Sequence, residues 1–203
     1  MNLEELEKQV RLQEDILKIE QLQMIYGYYF DNNMWAEILD LFSDNAESVE
    51  IADHGLFKGK KGVRRIYWDM FGGGDKGRNS PPWMQFVVMQ LGGVIDVSPD
   101  GRTAEGRWDT WLCEAKPYGA YNRQEWLHGY YENRYVKENG KWLFSKLYWN
   151  NTFCSPFEGG WLNLPEMGWM PLPDADAPPT AFHPYPYHRG NVPYHYKHPV
   201  TGK

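Results

Sequence analysis

Glu125-Trp-Leu-His-Gly-Tyr-Tyr-Glu-Asn133-Arg-Tyr-Val-Lys137 and Trp142-Leu-Phe-Ser-Lys-Leu-Tyr-Trp-Asn-Asn-Thr-Phe153 flank the pair Asn139-Gly140. Two aromatic-rich runs joined by Asn-Gly predict a tight hairpin, because both central residues of that turn need positive φ. Alternation along the first run puts Tyr131, Asn133 and Tyr135 on one face and His128, Tyr130, Glu132 and Arg134 on the other. Working back from the hairpin, Trp83–Val97 and Thr103–Ala115 read as strands around the turn Pro99-Asp-Gly101. Earlier still, residues 3 to 42 have helical spacing. Leu3, Leu6, Val10, Ile16, Leu17 and Leu22 form the apolar side, continued by Ile25, Tyr26 and Tyr29, and Asp31-Asn-Asn33 breaks it into a long and a short helix. Ser48–Ala52 alternates like a strand. Val63, Ile66, Tyr67 and Met70 predict a third helix that ends at Gly72-Gly-Gly74. Helices first and antiparallel strands after define an α+β class, with helices on one face of a curved sheet.

Composition narrows the function. Ten Trp and fourteen Tyr in 203 residues suit a cavity for a ring-bearing ligand, though a core or an oligomer interface uses the same residues. A net charge of −6 argues against nucleic acid, and the one dense basic group, Lys58, Lys60, Lys61, Arg64 and Arg65, reads as a solvated helix face. Cys113 and Cys154 fit neither a metal spacing nor a disulfide framework. The charged N-terminal segment and the lack of a membrane-length apolar run predict a soluble, cytoplasmic protein. Residues 1–155 read as one domain. Residues 156–203, rich in Pro, Gly and aromatics, read as an extended arm docking on that domain or on a neighbouring subunit. Its histidines, His183, His188, His195 and His198, are irregularly spaced, so docking is favoured over a metal site.

The segment Tyr26-Gly-Tyr-Tyr-Phe-Asp31 places a tyrosine and a carboxylate five residues apart in an apolar helical pattern. Asp31 admits two readings: N-cap of the next helix, or a buried carboxylate of raised pKa that serves as acid or base.

Taken together, Tyr26…Asp31…Trp35…Leu41-Phe42, Gly55-Leu-Phe-Lys-Gly59, Val94-Ile-Asp-Val…Asp100-Gly-Arg-Thr-Ala-Glu-Gly-Arg-Trp108 and Gly129-Tyr-Tyr-Glu-Asn133…Asn139-Gly-Lys-Trp142 resemble the SnoaL-like branch of the nuclear transport factor 2-like fold. The resemblance spans roughly residues 15 to 153 and implies a cone-shaped α+β barrel with a deep pocket. It also implies cofactor-independent proton transfer or elimination on a ring-bearing molecule. Tyr26 and Asp31 have the spacing used by the bile-acid dehydratase. The strands that carry the dehydratase histidines read Gln85-Phe-Val-Val-Met-Gln90 and Gly106-Arg-Trp-Asp-Thr110 here, and neither contains histidine. A family's fold does not fix its chemistry.

The resemblance and the strand faces together select Asp31, Tyr26, Glu50, Tyr131 and Asn133 as catalytic candidates. Asp31 or Glu50 would be the base, while Tyr26, Tyr131 and Asn133 would orient hydroxyls and stabilise oxyanion charge. His54, Trp35, Trp108, Gln85 and Thr110 are substrate-binding candidates. The expected activity is a lyase needing no metal or cofactor, of the kind that cleaves lignin-derived phenolic dimers with release of formaldehyde and formation of a stilbene. Alternatives are a dehydratase, a ketosteroid-type isomerase, a dioxygenase small subunit or a carrier. The expected partners are an aromatic small molecule and further copies of the chain, as a dimer or trimer.

Overall fold

The computed structural model describes residues 2–74, 85–118, 121–158, 172–180 and 193–203. Helix α1 (Leu3–Asp31) opens with a capping box, in which Glu5 N–H donates to Asn2 Oδ1 at 2.8 Å and Asn2 N–H to Glu5 Oε2 at 2.9 Å. Its buried residues, Ile19, Leu22, Gln23, Tyr26, Gly27 and Phe30, recur at helical spacing and set the packing face. The predicted apolar side does not all pack: Leu3, Leu6, Val10 and Leu17 are exposed, and no residue from 2 to 14 is buried. Below them Asp15 is buried, and its carboxylate receives Lys137 Nζ at 2.7 and 2.9 Å and Trp142 Nε1 at 3.0 Å.

Asn33, at φ 55°, turns the chain into α2 (Trp35–Asp40), followed by β1 (Ser48–Ile51), a 3₁₀ turn (Ala52–His54) and β2 (Leu56–Lys58). The third helix is α3 (Gly59–Arg64), which widens into a π-helical turn (Arg65–Phe71) and stops before Gly72. The basic group on α3 is not simply solvated. Lys60 Nζ donates to the carbonyls of Leu39 at 2.7 Å and Phe42 at 2.5 Å, so it caps the end of α2, while Arg65 pairs with Asp176.

Four long strands follow: β3 (Gln85–Val97), β4 (Thr103–Tyr118), β5 (Tyr121–Glu138) and β6 (Lys141–Pro156). Asn139 and Gly140, at φ 49° and 77°, form the β5–β6 turn as their sequence requires. The sheet is open and curled, in the order β2-β1-β6-β5-β4-β3, and antiparallel throughout except that β1 runs parallel to β6. The fold is α+β, with the helices packed on one face of the curled sheet. Register stacks inward side chains in rows across the strands: Phe86–Glu114–Glu125, Val88–Leu112–Leu127, Gln90–Thr110–Gly129 and Gly93–Trp108–Tyr131–Trp149. Among the described residues, no helix is long and apolar enough to cross a membrane.

Candidate functional site

Between α1, the π-helical turn and the first four rows of the sheet lies a cavity of about 130 Å³. Its wall is mainly aromatic and aliphatic: Phe30, Phe71, Phe86, Ile51, Val88 and Leu112. The polar contributions come from Tyr26, Tyr131, His54, Glu114 and the indole of Trp149. An apolar cavity of about 150 Å³ holds benzene, so this space matches one six-membered ring.

Tyr26 and Tyr131 meet edge to face with centroids 5.8 Å apart, and the Tyr26 hydroxyl lies 2.9 Å from that of Tyr67. Burial, the largest cause for each, pushes the pKa values of Tyr26, Tyr67 and Tyr131 well above the usual range. All three therefore stay protonated near neutrality and act as hydrogen-bonding hydroxyls rather than bases.

Asp31 ends α1 beside β3, the last strand in the sheet order, where its Oδ1 accepts the Val88 N–H at 2.7 Å. It is not the N-cap of α2. Met34 holds that position, with no capping side chain. Burial raises the Asp31 pKa, the Val88 N–H partly offsets this, and the Asp31 charge in turn acts on Tyr131. A carboxylate of raised pKa is a stronger proton acceptor once ionised.

The other expected residues divide cleanly. His54 lines the cavity from the 3₁₀ turn. Glu50 does not. The inward side chains of β1 are Val49 and Ile51, and Glu50, fully buried on the other face, gives both oxygens to Thr180. Asn133 is spent on structure: its Oδ1 accepts Tyr148 N–H at 3.0 Å, and its Nδ2 donates to Gln23 Oε1 at 3.0 Å. Trp108 belongs to the same polar cluster, donating to the Tyr135 hydroxyl at 2.8 Å, and Tyr135 donates to Gln23 at 3.0 Å. Trp35 is a buried wall behind Phe30 and Phe71 rather than a lining residue. Gln85 is exposed at the start of β3, and Thr110 faces inward in the row between Leu112 and Tyr131 without lining the cavity.

Sequence reading missed Glu114. It is 6 % exposed and lines the cavity, and its register partner Glu125 is 3 % exposed on the same inward face. The signal was available. Trp108 and Thr110 were already substrate-binding candidates, and continuing their two-residue period through Leu112 reaches Glu114.

In the described part of the tail, His195 pairs with Glu132 on the outer face of the sheet, and His198 accepts the N–H groups of Val200 and Thr201. His183 and His188 lie outside the described residues. Among those described, no cluster of three or more His, Cys, Asp or Glu side chains is arranged to hold a metal.

A family model described as a SnoaL-like domain matches residues 11–148. A solved structure provisionally named a scytalone dehydratase, from Novosphingobium aromaticivorans, superposes with a TM-score of 0.61 at 17% identity, covering 83% of this chain and 99% of its own. LinA superposes at 0.62 with 15% identity, covering 75% of this chain and 95% of its own. Hexachlorocyclohexane dehydrochlorinase LinA type 3 from Novosphingobium barchaimii gives 0.59 and 16% identity, covering 80% and 99%. These likenesses are likenesses of fold. No curated protein matches the chain.

Proposed function

The chain belongs to the SnoaL-like domain family, and on that premise we propose that it is a cofactor-independent lyase acting on a small molecule that presents one ring to the cavity. The observation that carries this reading is a ring-sized space lined by the Glu114 carboxylate and the neutral hydroxyls of Tyr26 and Tyr131, with the Asp31 carboxylate outside the lining but bonded to the backbone of Val88 in the same wall. Asp31, ionised, takes a proton from carbon; the released pair forms the carbon–carbon double bond. The leaving oxygen departs with its bonding pair and takes a proton from Glu114, giving water. Tyr26 and Tyr131 hold the substrate oxygen and its developing charge. This arrangement does without the histidine of the dehydratase pattern.

The cavity's size favours a single ring over a diaryl lignin dimer, whose second ring would have to sit outside the lining described above. The direct test is a substrate panel with purified protein: hydroxylated and chlorinated cyclohexanes, phenylpropanoid alcohols, steroids and lignin dimers. Product masses separate loss of water, halide or formaldehyde from isomerisation. Turnover of single-ring alcohols with loss of water is expected. Binding without turnover across the panel would make the protein a carrier instead.

A further inference from the structure

The described part of the C-terminal arm, residues 172–180, lies along the β1–β2 edge. Leu56 N–H donates to the Ala177 carbonyl at 2.9 Å, and Asp176 N–H returns to the Leu56 carbonyl at 2.8 Å, so the arm adds a short bridge to the sheet edge. The Asp176 carboxylate accepts the Lys58 N–H at 2.7 Å and pairs with Arg65. Gly55, at φ 100°, lets the arm come this close, because a Cβ there would stand 2.7 Å from Ala175 Cβ.

Two contacts link this edge to the cavity. Leu172 N–H donates at 2.9 Å to the carbonyl of His54, the residue that lines the cavity from the 3₁₀ turn. Four residues before His54, the buried carboxylate of Glu50 receives the Thr180 N–H and the Thr180 hydroxyl, each at 2.5 Å. A buried carboxylate is costly without such donors, so a docked arm and a satisfied Glu50 go together.

We propose that Thr180 is a positioning residue: by engaging Glu50 it locks the arm, and the locked arm holds His54 in the cavity wall. Ring binding and arm docking are then coupled, each strengthening the other, as reciprocity requires. This rests on the cavity being the ring-binding site.

The test uses the full chain and phenol as a one-ring probe, titrated against tryptophan fluorescence with Trp149 in the wall. Thr180→Val should raise hydrogen exchange at the Leu56 and Lys58 amides about tenfold and weaken phenol binding about fivefold. Thr180→Ser should restore both. With a turnover substrate, KM should rise while kcat changes little. Asp176→Ala, which frees the same strap elsewhere, should have the same effect if Thr180→Val folds poorly. Faster exchange with unchanged phenol affinity would reduce the arm to an edge cover, and unchanged exchange would remove the lock altogether. If wild-type protein does not bind phenol, the ring-binding reading falls. Exchange at the Leu172 amide, which donates to the His54 carbonyl, then decides the lock, which stands only if it rises in Thr180→Val.

Discussion

Asp31 combines two tasks that a single substitution can separate. Its carboxylate caps the Val88 N–H of β3 and, in the proposed reaction, accepts the substrate proton. Asparagine keeps an acceptor oxygen but cannot take a proton. Asp31→Asn should therefore leave the melting temperature nearly unchanged and lower kcat by about two to four powers of ten, the range for losing a general base. Near-normal turnover would move the base to Glu114. Glu114→Gln should slow elimination of hydroxyl more than elimination of halide, since a halide needs no proton to depart. Equal losses for both leaving groups would count against its role as acid. The raised Asp31 pKa also predicts that the acid limb of the pH–rate profile lies above the usual carboxylate value, with activity lost as pH falls through it. Asp31→Asn should abolish that limb. The pair Tyr26 and Asp31 was legible because a polar group inside an apolar helical stripe is conspicuous. Glu50 misled for the opposite reason: a strand's period gives two faces but does not say which is inward, and the answer came from Thr180, 130 positions away.

Elements follow the same logic. Strands β1 and β3 to β6, the Asn139-Gly140 turn and the break after α1 were readable, because each rests on local φ preference or on a period of two or 3.6, whereas the three-residue β2 is too short to show a period. The parallel pairing of β1 with β6 was not readable, since no local pattern encodes a partner about a hundred residues distant. Nor was the Asp15–Lys137–Trp142 contact that fixes the lower half of α1 to the β5–β6 hairpin. Burial works against the Asp15 charge, but the Lys137 and Trp142 bonds outweigh it and hold its pKa below the usual value. A depressed carboxylate stabilises the fold at pH values above its unfolded pKa of about 3.9, and that contribution fades as pH falls through the lower folded value. Lys137→Met should destabilise the protein by about 3 kcal/mol, the low end for a broken buried pair because Lys137 is partly exposed. Urea unfolding at pH 7 measures this, and the difference from wild type should shrink at pH 3. A constant difference would mean that packing, not charge, is what Lys137 supplies.

For the whole molecule, the order of strands in space differs from their order along the chain. Among the described residues, β6 is the last strand in sequence, yet it lies between β1 and β5 and joins β1 to the rest of the sheet. During synthesis, β1 and β2 must therefore wait, with their inward side chains uncovered, until about a hundred further residues have emerged from the ribosome. Contacts of that sequence separation fold slowly and leave apolar edges exposed meanwhile. A chain arrested before residue 141 should thus be a substrate for chaperones rather than a smaller folded protein, and pulse-labelling of nascent chains should show protection of β1 only after β6 has cleared the exit tunnel.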